Sequence, residues 1–450
     1  MVCTLRRQIA AIGLKTIVLE IPTAHGSVAV HQLTSKLVSG VSQPVLEVKL
    51  ECMQILDDLL RRFGSSLKEE EADACLNALF EELGSARAAA RKRSIACIAS
   101  LSATLSDKLL GQLVSTIVEK MNEPSCKLDL RRTYIQTVSS ISRAGGYRIG
   151  KLLEMVVPLV LQQCDTTKSS GDAEMIESCL QAFESFVLRC PRDVASFQPT
   201  ISSVALRFLS YDPNYADDDD DADDAMDDDD DDEDADDDDD GDYSDDDDVS
   251  WKVRRSAAKV LSAIIVSRPE RLPELLPEVV PVLVARFRER EENVKMDIFS
   301  TFSDLLHQVA LTVRSSDGTE GGGPQAEVMP DSGTPTGMLM ERVPEIVKAA
   351  CRQLKDKSLK TRIAAFSFMR QLLTTLPGCL EQHASALVPG IDKALKEAQS
   401  NNLRIESLLF LQLALSSHPP AVFQASAVSQ LYLTALSHSS ISQLCPTALS

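Results

Sequence analysis

Aromatic residues are scarce in this chain of 450 residues, at 4% with a single Trp. That scarcity argues against one large globular core and suits many small helix–helix contacts. No apolar run approaches the ~20 residues that cross a bilayer, so no membrane role is expected. The start, Met1-Val-Cys-Thr-Leu-Arg-Arg7, passes into an amphipathic helix without the apolar core and small-residue cleavage site of a signal peptide, so secretion is not expected. The eleven cysteines include no CxxC pair, and the closest two, Cys179 and Cys190, are 11 apart. Spread over apolar helical positions, they read as reduced core residues of a cytoplasmic and/or nuclear protein, not as disulfides or zinc ligands. The six histidines (25, 31, 307, 383, 418 and 438) make no metal-like pair. The Gly-rich stretch at 318–323 lacks the Lys and Ser/Thr of a phosphate loop. The expectation is therefore a non-enzyme with no cofactor, no metal and no small-molecule substrate.

Basic residues are absent from one segment. Between Asp217 and Asp248 stand 24 Asp and one Glu in 32 residues, with no Lys or Arg. Those 25 account for much of the chain's 67 acids; the remainder sets 42 acids against 46 bases, +4 in place of −21. The acidity thus belongs to one segment, which repels itself and is expected to stay solvated and disordered. A remainder near neutrality, without bases interleaved with aromatics, makes a nucleic-acid partner unlikely as an expectation.

Outside that segment a unit recurs. One or two bases stand near the start of a helix that then runs apolar at three- and four-residue spacing, at residues 7, 49, 92, 131, 254, 295, 362 and 404. Successive gaps are 42, 43, 39, 123, 41, 67 and 42. The gap of 123 holds one further apolar-patterned helix, about Asp172 to Leu188, and the Asp run; the gap of 67 holds a Gly/Pro/Ser/Thr-rich stretch around Gly321-Gly-Gly-Pro324. The underlying period of about 40 residues lies in the range of HEAT or armadillo repeats. A second helix falls between successive basic-headed ones, for example at Val28 to Val41 and Leu272 to Arg286. The predicted fold is all-α: an α-α superhelix of HEAT/armadillo type with an inserted acidic loop. Its expected parts are a first solenoid segment (1–209), the Asp-rich insertion in one repeat (210–249), a second solenoid segment (250–436, with a flexible loop at 314–337, and a last helix near Ala421 to Leu436) and a tail (437–450). The lack of polar capping repeats leads us to expect a piece of a longer solenoid.

Lys and Arg near a helix N-terminus oppose the macrodipole, so their recurrence there needs a cause. One reading is a ladder in which each base pairs with turn carbonyls or an acid of the neighbouring repeat. The other is a basic stripe for an acidic partner, with Arg91, Lys92, Arg93, Arg131, Arg132, Arg254 and Arg255 as candidate contacts. The Asp run is either a solvated spacer or an arm for a basic partner, and Ser244, followed by four Asp, resembles an acidophilic kinase site.

Several strings go beyond repeat periodicity: Arg132-Thr-Tyr-Ile-Gln136, Gln181-Ala-Phe-Glu-Ser-Phe-Val187, Tyr211-Asp-Pro-Asn-Tyr215, Val249-Ser-Trp-Lys-Val-Arg-Arg255, Lys357-Ser-Leu-Lys-Thr-Arg362 and Leu387-Val-Pro-Gly-Ile391. Over about Leu5 to Phe423 the chain resembles the cullin-associated and neddylation-dissociated protein family, as an early-to-middle part without its first repeats and C-terminal half. The resemblance implies a scaffold that binds the cullin C-terminal region and its RING subunit, and that regulates assembly and receptor exchange of cullin–RING ubiquitin ligases. The other reading is a β-karyopherin, a HEAT solenoid whose acidic loop is often followed by Trp, as Trp251 follows here; it would carry basic cargo and bind a Ran-type GTPase.

Overall fold

The computed structural model describes residues 2–164, 172–211, 249–316, 333–397 and 400–417. Among these the chain is helical, with no strand. The helices in order are α1 (Val2–Glu20), α2 (Gly26–Val41), α3 (Leu46–Phe63), α4 (Glu69–Leu83), α5 (Ala88–Ser102), α6 (Asp107–Asn122), α7 (Leu128–Gly145), α8 (Leu153–Gln163) and α9 (Ala173–Arg189). They continue as α10 (Gln198–Leu209), α11 (Ser250–Ser267), α12 (Leu272–Ala285), α13 (Glu292–Ser316), α14 (Pro335–Glu341), α15 (Val343–Gln353), α16 (Leu359–Thr375), α17 (Ala384–Lys396) and α18 (Asn401–Ser417).

Two layers follow from which helix touches which. The basic-headed helices, together with α9, which lacks a base at its start, pack in an unbroken row, α1 on α3, then α5, α7, α9, α11, α13, α16 and α18. Their hairpin partners form the other layer, seen in α2 on α4, α6 on α8, and α12 on α15 and then α17. The row runs directly from α9 to α11, across the point in sequence where the Asp run is inserted. The expected solenoid is therefore present as alternating helical hairpins.

Apolar stripes drive this arrangement. On α13, Ile298, Phe299, Phe302, Leu305, Leu306 and Val309 are all buried, and on α9 so are Met175, Ile176, Leu180, Phe183, Phe186 and Val187. Such one-sided stripes recur at the helical period and must be covered by neighbouring repeats. Phe287, from the turn before α13, meets Phe299, Phe302 and Phe368 in an aromatic cluster with ring centroids 4.6–5.8 Å apart, at tilted or edge-on angles. Gly390 lets α17 approach Leu354 closely, since a Cβ there would lie 2.7 Å from the Leu354 Cβ.

The expected loop 314–337 is shorter among the described residues. Helix α13 continues through Ser316, and α14 begins at Pro335. Thr334 accepts a hydrogen bond from the Gly337 amide at 3.1 Å, Pro335 suits the first turn, and Leu339 is wholly buried. The extra short helix explains part of the gap of 67. The Asp run from residue 212 to 248, Ser244, the expected helix near Ala421 to Leu436 and the 437–450 tail lie outside the described residues.

Cysteines 75, 97, 164, 179 and 190 are free and buried, and Cys52, Cys126, Cys351 and Cys379 are free and half-buried. Burial pushes the thiols of Cys75 and Cys379 up to about 12 and those of Cys190 and Cys351 to about 11. Among the described residues no helix is long and apolar enough to cross a membrane.

Candidate partner-binding surface

The bases near the helix starts divide by what they touch. Arg254 on α11 is wholly buried. Its Nε and Nη2 donate to the two carboxylate oxygens of Glu289 at 3.0 and 3.1 Å, and its Nη1 donates to the Tyr211 carbonyl at 3.1 Å and the Ser250 hydroxyl at 2.8 Å. Such a two-pronged pair has strict geometry. Buried in this way, Arg254 has no side-chain surface to offer a partner.

The same step recurs along the stack. Lys49 meets Glu82, Lys295 meets Asp356 at 2.9 Å, and Arg362 meets Glu397 at 3.1 Å. For Arg254, Lys295 and Arg362 the acid lies in the turn that precedes the next helix of the row; for Lys49 it lies in the last turn of α4. Two acids of the ladder also accept from the amide just ahead of that helix: Glu289 from Glu291 at 3.1 Å and Asp356 from Ser358 at 2.8 Å. A carboxylate is favoured at a helix N-terminus, so one acid offsets the macrodipole of its own helix and the base of the previous one. Burial pushes Glu289 up, but Arg286, the Glu291 amide and Arg254 outweigh it and hold the carboxyl below the usual range. Asp356 is likewise raised by burial and brought lower overall by Lys295 and the Ser358 amide.

Pairs on the faces of successive row helices add lateral ties. Arg132 on α7 pairs with Glu174 on α9 and with Asp129 at 3.1 Å. Arg255 on α11 pairs with Asp297 on α13 at 2.6 Å, and Ser262 donates to Asp304 at 2.6 Å. These partners stand 42 residues apart, the repeat period read as a contact distance in sequence.

A second ladder runs on the opposite rim. Arg62 donates to the carbonyls of Val18, Leu19 and Ile21 at the end of α1; Arg148 reaches those of Ser102, Ala103 and Leu105 at the end of α5; Arg268 reaches that of Pro191 beyond α9 at 3.0 Å. Each arginine takes up carbonyls left without a helical partner.

Of the seven candidate contacts, then, Arg254, Arg255 and Arg132 are engaged between repeats. Arg91 donates to the Ser85 carbonyl at 2.8 Å. Arg131 is half-buried, with its Nε lacking an acceptor. Lys92 and Arg93 are exposed at the start of α5 and form no ion pair among the described residues. These two remain accessible in the form a basic stripe requires. Among the described residues no cluster of three or more His, Cys, Asp or Glu could hold a metal ion.

The family description "CAND1-like, TPR repeats" matches residues 378–444. That match runs past Phe423, where the resemblance in the strings fades. Its described part holds α17 and α18, and α18 continues the row by packing on α16. Over 422 residues the chain is 43% identical to the cullin-associated NEDD8-dissociated protein 1 of Arabidopsis thaliana, covering 93% of this chain and 33% of that one. It is 38% identical over 438 residues to the Dictyostelium discoideum protein of that name, covering 94% and 34%, and 39% identical over 426 residues to cullin-associated NEDD8-dissociated protein 2 of Mus musculus, covering 93% and 33%.

Over nearly its whole length the chain is similar to cullin-associated NEDD8-dissociated proteins.

It spans about a third of the length of these relatives. Among solved structures it resembles importin β with a TM-score of 0.61 at 11% identity, covering 96% of this chain and 46% of that one. It resembles Kap121p bound to Pho4p with a TM-score of 0.60 at 10% identity, covering 95% and 38%. At these identities the likeness shows that the chain shares the HEAT solenoid fold with karyopherins, and nothing about cargo.

Proposed function

We propose that the chain is a member of the cullin-associated NEDD8-dissociated protein family, a non-enzymatic scaffold that binds a cullin and its RING subunit and so regulates assembly of the ubiquitin ligase. The observation that carries the reading is the 43% identity, sustained over 93% of the chain, to a relative named for its association with cullins. The structure supports a scaffold in a physical sense, because its buried charges are engaged in holding successive repeats in register. Exchange of substrate receptors is a property of the whole complex; this stretch is proposed to supply cullin–RING binding and not adaptor release.

The test is a pull-down with the purified chain as bait. Unmodified cullin–RING complex should be retained, NEDD8-modified complex should be retained less, and the adaptor should stay on the cullin. Retention of GTP-loaded Ran in place of the cullin complex would favour the karyopherin reading that the shared fold permits. Adaptor release by this chain alone would sink the division of labour.

A further inference from the structure

We propose that the groove between α12 and α15 binds an acidic peptide segment of a partner protein, seated by one apolar side chain. The groove lies on the layer opposite the continuous row, and it is lined by Val284, Phe287, Arg288, Ala349, Arg352 and Gln353 among others. Phe287 is wholly buried beneath it, and Val284 and Ala349 are half-buried, so the floor is apolar. Arg288 and Arg352 are exposed at its edges, and neither forms an ion pair among the described residues. The one acid there, Glu345, is held by Arg342 at 3.1 Å, which leaves the groove with a positive surplus.

Two comparisons within the molecule sharpen the assignment. The groove across α9, α11 and α13 sets Glu184 and Asp297 against Lys259, and that between α4 and α6 carries Asp73 and no base. Neither has the combination of apolar floor and uncompensated cations. The second observation is Gln353, which is 7% exposed and whose side-chain oxygen has no hydrogen-bond donor. A buried acceptor without a donor is costly, and an extended peptide brings backbone N–H groups that can satisfy it. Carboxylates of the segment would face Arg288 and Arg352, whose planar heads suit two-pronged binding, while its apolar residue rests over Ala349 and Phe287. The occupant follows from charge and shape, independently of cullin binding.

Fluorescence polarisation on the intact chain tests this, with a short labelled peptide in which glutamates flank a leucine. Binding should weaken with added salt. Arg288→Glu and Arg352→Glu should each weaken it about tenfold, with unchanged melting because both side chains are exposed. Replacing the leucine by serine should weaken it about tenfold as well. Equal affinity for either arginine variant, or for the serine peptide, would overturn the groove as the site. A parallel sample lacking residues 217–248 separates the sources. Binding that emerges only in that sample would assign the groove to the chain's own Asp run and overturn the partner reading; absence of binding in both samples would overturn the proposal altogether.

Discussion

Two steps of the same ladder, at Arg254 and at Arg362, differ in how completely the base is served. Both arginines are at most 2% exposed. At Arg254 every nitrogen has an acceptor, from a carboxylate that is itself 3% exposed, a turn carbonyl and a hydroxyl. At Arg362 one nitrogen meets Glu397, whose side chain is 24% exposed, and Nε and Nη2 have no acceptor. Repetition therefore fixes where the base sits without fixing what it gains. The surplus at Arg254 comes from the two chain ends flanking the Asp run, Tyr211 before it and Ser250 after it. A buried pair contributes net stability only when its remaining hydrogen-bonding capacity is met.

The largest test of that contrast is Arg254→Met. It leaves the buried Glu289 with only Arg286 and the Glu291 amide and empties the Tyr211 carbonyl and Ser250 contacts, and should cost roughly 3 kcal/mol in urea unfolding. Phe302→Ala should cost about as much, from the cavity left between Phe287 and Phe368; a negligible change would refute the stripe on α13. Combining Arg254→Met with Glu289→Leu should recover part of the loss, since the enclosed site becomes apolar and the partly exposed Arg286 is left to solvent. Arg362→Met should cost only about 1 kcal/mol, because Glu397 can be hydrated and two unserved donors disappear. A loss equal to that of Arg254→Met would erase the distinction between the two steps.

Acid offers a finer probe. Glu289 and Asp356 titrate below their ordinary values in the folded chain. Their contribution is therefore complete above the unfolded values, about 4.3 and 3.9, and is lost as pH falls through the lower folded ones. Urea midpoints measured from neutral pH down to the acid range should fall, and Glu289→Gln should flatten that fall. The smallest effects are expected at Lys92→Glu and on deletion of residues 217–248, with stability within about 0.5 kcal/mol of the parent in each case.

The helix pattern was legible because apolar spacing and period are local properties. The expected stripes on α9 and α13 are buried, and most expected helices lie within a few residues of those observed. Helix α14 escaped notice because Pro335 and Gly337 mark a loop unless the Thr334 cap beside them is weighed. The bases of the ladder were visible, whereas their acids were not. Separations of 33, 35, 61 and 35 residues follow from turn lengths, which no single-helix pattern records. For the same reason Arg254 and Lys92 look alike in sequence, although one is enclosed and the other meets water. The carbonyl-binding arginines 62, 148 and 268 were missed as a set, since their acceptors are backbone and leave no side-chain signature.

Every tie described joins a repeat to its immediate neighbour, and the bond from Arg254 to the Tyr211 carbonyl crosses the Asp run without using it. Peptide continuity between Tyr211 and Val249 is thus dispensable to the α9–α11 contact. A chain divided there should behave as a complementing pair: two halves, expressed separately, that find each other through one helix face and one enclosed charge.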